Sequence, residues 1–321
     1  MPGGRAQTTQ IGAGITAIDT EYVRPLQDAS HLINEGGRAA FVDTGTNNSV
    51  PLLIDALHQQ DLDVGDVDFV FLTHIHLDHA GGAGSLMRVL PNARCVVHPR
   101  GGPHMIDPSR LIAATEGVYG VELSREMYGE ILPIDAARVV IAEDDDSFSL
   151  NGRALQTLHT EGHARHHYCL NDVASRGVFT GDSFGVSYRE LDTAAGAFIF
   201  PTTTPTEFDP DAAHASIDRI MACEPEQLYL THYSRVRDLD RLAQDMHDGI
   251  DAFVAMALAH RDEDDLQGAI QPQMDAYLKQ RLRAHGFSGD EAAMDAALQI
   301  DILLNTQGLI AWLHRLKKQG L

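Results

Sequence analysis

Four metal-capable side chains fall within six residues of this chain, in His74-Ile75-His76-Leu77-Asp78-His79. No regular strand or helix points all four the same way. The run follows directly on residues 67–72 (VDFVFL), a short β-rich apolar stretch that reads as a buried strand. A helix to about Leu90 follows it. A loop between strand and helix lets the donors converge. Imidazole nitrogen and carboxylate oxygen suit zinc, iron or manganese.

Three further donors each stand beside the end of an expected strand: His163 in Thr160-Glu161-Gly162-His163, Asp182 in Thr180-Gly181-Asp182, and His232 in Leu230-Thr231-His232-Tyr233. Strand-end loops fall on one edge of a sheet, where α/β enzymes place their sites. Histidine is abundant, at 17 residues, and it is this spacing that separates the chemical histidines from the rest.

The first half alternates strand and helix. Ser30 to Val42 reads as two strand pieces around Glu35-Gly36-Gly37, Val50 to Gln59 as a helix, and Ala93 to His98 as a strand. Such β-α-β-α-β alternation implies a sheet covered by helices. Residues 101–131 read as one or two helices, opened by the Asp107-Pro108 start signal. From Arg138 to Thr180 the pattern reads as antiparallel, with Asn151-Gly152 as a two-residue hairpin turn and a second hairpin over 167–180. Asp209-Pro210 opens a helix to about Cys223, and Gln227 to Leu230 is a strand. Beyond about Val236 the chain reads as all helical. Leu239, Leu242, Met246, Ile250 and Phe253 share one helix face, and separate helices are expected over 274–285, 291–304 and 307–318. A boundary near 236 divides a catalytic domain, 1–235, from a helical extension, 236–321.

Composition removes several function classes. The formal net charge is −22, whereas phosphate neutralisation by basic residues supplies most nucleic-acid affinity. Neither nucleic acid nor an anionic membrane surface is an expected partner. No stretch approaches the ~18 apolar residues of a membrane span. Cys95, Cys169 and Cys223 form no CxxC pair, which speaks against a disulfide framework or a cysteine zinc site. Met1 to Gln10 has no apolar run of signal-peptide length, and a reducing cytoplasm is the expected location.

The ordered donor set resembles that of the metallo-β-lactamase superfamily, specifically its dinuclear hydrolases, over roughly residues 10–235. The resemblance implies an α/β fold, the αββα sandwich, here with an added C-terminal helical segment. It implies that His74, His76 and His163 hold one divalent metal, that Asp78, His79 and His232 hold another, and that Asp182 bridges them. Two such metals can share a hydroxide, because cation charge lowers the pKa of bound water toward ~7. Asp78 would hold a metal and also orient the nucleophile. Zinc is the expected ion, with iron or manganese as substitutes. The chain carries no Gly-rich phosphate loop.

Other residues join the reading. Asp43, in Val42-Asp43-Thr44-Gly45, matches a recurrent family element beneath the site and would accept a hydrogen bond from the second N–H of a ligating imidazole. Tyr188 could donate a hydrogen bond to substrate, as a tyrosine does in lactonases of this superfamily, and Arg189 could meet an anionic group. Phe198-Ile199-Phe200-Pro201 and the three threonines after it read as an apolar loop near the mouth. Glu161 stands where the family usually has proline, and His166 where a glycine is common; His166 or His167 could shuttle protons. His98 and His104 are further candidates. Residues from about 236 onward are expected to cap the pocket and could support a homodimer.

The expected activity is hydrolysis of a small ester, thioester, lactone or phosphodiester. The alternative is a non-haem iron redox enzyme of the same fold, like the persulfide dioxygenases or the oxygen reductases. The former use fewer ligands, and the latter typically have glutamate where His76 stands and carry a flavodoxin domain. A ribonuclease Z-type nuclease is disfavoured by the acidic charge.

Overall fold

The computed structural model describes residues 5–203 and 207–320. Seven strands among them follow one another in chain order across a first sheet. β1 (Thr8–Gly12), β2 (Ile15–Asp19), β3 (Ala29–Glu35) and β4 (Arg38–Val42) pair antiparallel. β5 (Val67–Phe71), β6 (Arg94–Val97) and β7 (Val139–Ile141) continue the sheet in parallel. Parallel central strands are covered on both faces and so read as continuous apolar runs. β5 fits this: Val67, Phe69, Val70 and Phe71 are all buried.

The helices between these strands are α1 (Val50–Gln59), α2 (Leu77–Ala80), α3 (Ala83–Val89), α4 (Gly102–Ile106), α5 (Ser109–Tyr119) and α6 (Val121–Tyr128). Leu53 and Leu57 of α1 and Leu86 of α3 share one core with Val70 and Leu72.

A second sheet has the order β13-β12-β11-β10-β9-β8. Its strands are β8 (Ser147–Leu150), β9 (Arg153–His159), β10 (Tyr168–Asp172), β11 (Gly177–Gly181), β12 (Gln227–Leu230) and β13 (Ser234–Val236). Asn151 and Gly152 both take positive φ, 47° and 94°, as a two-residue hairpin turn requires. The sheets meet through aromatic side chains. Phe148 of β8 stands edge-on to Phe69 and Phe71, at 5.9 and 5.5 Å, and the Tyr168 hydroxyl donates to the Val96 carbonyl at 2.9 Å. The result is the αββα sandwich with additional C-terminal helices.

The remaining helices are α7 (Pro210–Met221), α8 (Leu239–Ala259), α9 (Leu266–Ala284) and α10 (Glu291–Gln319). Leu239, Leu242, Met246, Ile250 and Phe253 are all buried, as their spacing on one face of α8 requires. α7 and α8 are joined by His214 and His247, whose Nδ1 atoms lie 2.6 Å apart. The chain forms two compact units. The first takes residues to 159 with 166–181 and 228–235, and the second takes 160–165, 182–227 and 236 onward.

Three expectations need correction. β7 falls in the region read as antiparallel but extends the first sheet in parallel with β6. Within residues 101–131, α5 and α6 follow the Asp107-Pro108 signal as expected, and the short α4 precedes it. The two helices expected over 291–304 and 307–318 are one continuous helix, α10. Asn305, Thr306 and Gly308 are weak helix formers, but packing overrides propensity. Asn305 and Thr306 are buried, Thr306 donates to the Ile302 carbonyl at 2.7 Å, and Asn305 accepts from the Thr203 backbone N–H at 2.5 Å. Finally, against the expectation of no such segment, α10 is long and apolar enough to cross a membrane by length and composition, an 18-residue window within it having a mean hydropathy of 1.2. Half of that window is buried within the protein, as in a core helix.

Candidate metal centre

The first donors leave the sheet where β5 ends. The Thr73 backbone N–H donates to Asp43 Oδ1 at 2.8 Å, which fixes the turn into His74. Nε2 of His74 then lies 2.8 Å from Nδ1 of His76. His76 caps the single turn of α2, whose start sets Asp78 and His79 side by side. The last donor, His232, follows β12. On the other arm, Gly181 ends β11 at φ +47°. A Cβ there would meet Thr73 Oγ1 at 2.7 Å and His167 Nε2 at 2.6 Å, so glycine is what lets the chain turn into Asp182.

Among the described residues two groups of donors converge. His74, His76, His163 and Asp182 each offer a ligand atom, all within 4.8 Å of one another, and Asp78, His79 and His232 do the same. Within the second group, Asp78 Oδ2 lies 3.6 Å from His79 Nε2 and 3.7 Å from His232 Nε2. Within the first, His163 Nε2 lies 3.4 Å from Asp182 Oδ2. Seven donors, five imidazole and two carboxylate, are more than one tetrahedral ion takes. Nitrogen and oxygen donors at this spacing fit two divalent transition ions.

Buried carboxylates stand behind two of the imidazoles. Asp43 Oδ2 lies 2.8 Å from His79 Nδ1, so that ring directs Nε2 toward Asp78. Thr73 and Thr231 hydroxyls also donate to Asp43. Asp43 sits at φ 57°, a left-handed conformation that aspartate tolerates better than most residues. Asp28 plays the same part for His232, with its Oδ1 2.8 Å from Nδ1. Burial pushes the Asp28 carboxyl up to about 6, against the pull of His232. Asp28 escaped the sequence reading. Its only signal is an acidic residue directly before a buried strand, which an ordinary turn residue gives too.

Asp43→Asn is expected to weaken metal binding by about 10- to 100-fold, the usual cost of losing the group that orients a ligating histidine. Competition with a chromophoric chelator measures this. An unchanged affinity would remove Asp43 from the site.

Several other candidates have definite places. His167 is buried, its ring 4.9 Å from that of His74, while the half-buried His166 lies 5.5 Å from His76. Tyr188 is buried, and its hydroxyl donates to Asp301 of α10 at 3.1 Å. It is not brought into either donor group. Arg189 pairs with Asp192 at 3.2 Å. His98 is buried against His159, 4.3 Å between ring centres, and burial followed by His159 lowers it to about 4. His104 lies on α4 in neither group. Phe198 and Phe200 are buried, and Thr204 lies outside the described residues.

A small cavity has His163 and Asp182 in its wall, together with Glu161, Thr202, Phe208, and Met246 and Ile250 of α8. Two residues of α8's apolar stripe thus border the carboxylate of the first donor group. Sequence reasoning also missed Tyr22 and Tyr128, whose hydroxyls are 3.1 Å apart. Burial and then the charge of Asp78 raise Tyr22 above the usual phenol range.

Comparison with known proteins gives a consistent picture. A family model described as the metallo-beta-lactamase superfamily matches residues 23–232. The metallo-beta-lactamase fold-containing protein ST1585 of Sulfurisphaera tokodaii is 27% identical over 197 residues, 60% of this chain and 67% of that one. An atrochrysone carboxyl ACP thioesterase of Pseudocercospora fijiensis is 24% identical, over 57% of this chain and 47% of its own length. The match thus spans about half of that relative. Among solved structures, the metallo-beta-lactamase family protein TTHA1429 of Thermus thermophilus aligns with a TM-score of 0.67 at 19% identity, covering 97% of this chain and 95% of its own. At that identity the likeness speaks for the fold alone.

Proposed function

This chain belongs to the metallo-β-lactamase superfamily, and on that premise we propose that it is a dinuclear metal-dependent hydrolase of small esters or thioesters. The observation that carries the reading is the pair of adjacent donor groups, complete in all seven residues. The thioester preference draws on the thioesterases among its relatives. Zinc is the ion we favour, because five of the seven donors are imidazoles.

Two bound divalent ions would supply a hydroxide nucleophile near neutral pH and a Lewis acid for the acceptor oxygen. The chain's own residues do the rest. Asp43 and Asp28 fix the tautomers of His79 and His232. Asp78, between those two rings, is placed to accept a hydrogen bond from an attacking water. Met246 and Ile250 present apolar surface beside His163 and Asp182, which limits water at that wall. Tyr188, engaged with Asp301, has a positioning part in this reading and reaches the substrate only if that bond opens.

The test has two stages. Anaerobically purified, metal-replete protein is expected to hold two transition ions per chain by elemental analysis; one or none would refute the dinuclear centre. The same preparation is then screened against chromogenic esters, thioesters, lactones and phosphodiesters. Turnover confined to phosphodiesters, or oxygen consumption without hydrolysis, would overturn the ester reading.

A further inference from the structure

α10 is buried along one side, where Leu298, Ile302, Asn305, Leu309 and Trp312 lie within the protein. The opposite side faces solvent and is apolar as well. Ala296, Ile300, Leu303, Gln307, Ile310 and His314 recur at spacings of four and three, the 3.5-residue period of a helix–helix seam. Ile300 and Leu303 are 42% and 37% exposed. Ala296, Gln307 and His314 are exposed too, and Ile310 is half-buried. The stripe is about 27 Å long at 1.5 Å per residue. From Ala296 to Leu313 the one charged residue is Asp301, and it is engaged by the Tyr188 hydroxyl. The exposed side of α8 is of the ordinary kind, with Asp240, Gln244, Asp248 and Asp251. A chain of net charge −22 that leaves several turns of solvent-facing helix uncharged and apolar presents a docking surface there.

We propose that this stripe is the seam of a homodimer, in which α10 packs antiparallel on the α10 of a second copy. The occupant follows from the charge at the two ends of the helix. Glu291 stands in its first turn, and Lys317 and Lys318 stand in its last. Near the start, Lys279 is paired with Asp275, Glu291 and Asp295, one positive charge against three negative. Parallel pairing would set acid on acid and base on base. Two-fold antiparallel pairing sets the acidic start of each helix beside the basic end of the other, and it opposes the helix dipoles. With full overlap the axis passes near Asn305, and Ile300 meets the partner's Ile310. Gln307 is the one amide of the seam, and a lone polar residue in such a seam specifies register at a cost in stability. Away from this face two copies of net charge −22 repel each other. A lipid surface is the other apolar occupant, but helices that lie in a membrane interface carry a basic polar face, whereas the far side of α10 is buried in the protein. The inference stands apart from the hydrolase reading, since none of the seven donors lies on α10.

Light scattering on metal-replete protein at micromolar concentration is expected to give twice the 35.0 kDa of one chain. Ile300→Lys with Leu303→Lys is expected to halve that mass while circular dichroism and metal content stay unchanged, because both side chains face solvent. Lys317→Glu with Lys318→Glu removes no apolar surface and is expected to weaken the association roughly tenfold, since symmetry places the loss of exposed ion pairs at both ends of the seam. Orientation is read by oxidative cross-linking. Ala296→Cys combined with His314→Cys is expected to link two chains, and Ala296→Cys alone is not, with the wild type as the control for Cys223. A monomeric wild type, or a dimer that survives the Ile300→Lys, Leu303→Lys change, overturns the proposal. A seam indifferent to the Lys317→Glu, Lys318→Glu change, or one that cross-links through Ala296→Cys alone, is not antiparallel and overturns it equally. Flotation of a monomeric wild type with phosphatidylcholine vesicles, lost in the Ile300→Lys, Leu303→Lys variant, would give the face to a membrane instead.

Discussion

Asp182→Asn is expected to lower turnover by on the order of 10²- to 10³-fold, the loss typical when one preorganised charge is removed from a site. The side chain is 5% exposed, lies 3.4 Å from His163, and borders the cavity with it. The amide keeps the shape and removes the charge, so the backbone turn at Gly181 need not move. Circular dichroism is therefore expected to be unchanged while activity falls. The family resemblance gives this carboxylate the bridging place between two ions, and loss of the second ion in the variant would be the direct sign of it. Activity within a few-fold of wild type, with both ions still bound, would refute that role.

Chelation is expected to have the largest effect on stability. Asp28, Asp43, Asp78 and Asp182 gather around five imidazoles, and the first two are 0% and 1% exposed. Without cations, buried negative charge sits close together at a cost that grows with burial. An ion that binds only the folded chain adds about 4 kcal/mol at a thousand times its dissociation constant. Spread over a chain of this length, two such ions correspond to a fall in Tm of roughly 10 °C or more on removal. Differential scanning calorimetry with and without a strong chelator measures it, and re-addition of zinc is expected to restore the transition. A melting curve that ignores chelation while activity disappears would show that the donors are held in place by the fold alone.

How much of this was legible in the sequence depends on distance along the chain. The run from His74 to His79 announces itself because its donors are local and follow an apolar strand. Asp43 was legible for a similar reason, as the end of β4 leading into Thr44-Gly45. Asp28 was not. It acquires its role only when β3 lies beside the loop after β12, where the Ala29 N–H bonds the Thr231 carbonyl at 2.8 Å. No pattern around residue 28 encodes that neighbour. Tyr22 and Tyr128 meet across 106 positions and were invisible for the same reason. The single helix α10 was misread in the opposite way. Local propensity argued for a break at Asn305 to Gly308, and contacts made far away, to Thr203, closed it.

The first compact unit is discontinuous: it leaves at residue 181 and returns only at 228 to lay down β12 and His232. This sets an order on assembly during synthesis. When residue 181 has been made, β1 to β11 exist and Asp78 and His79 are in the chain, but their third partner has not been translated. A nascent chain that captures an ion at that stage must do so with an incomplete group, and it must exchange those contacts when His232 arrives. The same order governs dissection of the protein. A fragment ending at residue 227 lacks both the strand and the histidine, whereas two fragments cut within 182–227 could restore the Asp78, His79 and His232 group only by adding β12 back across the break.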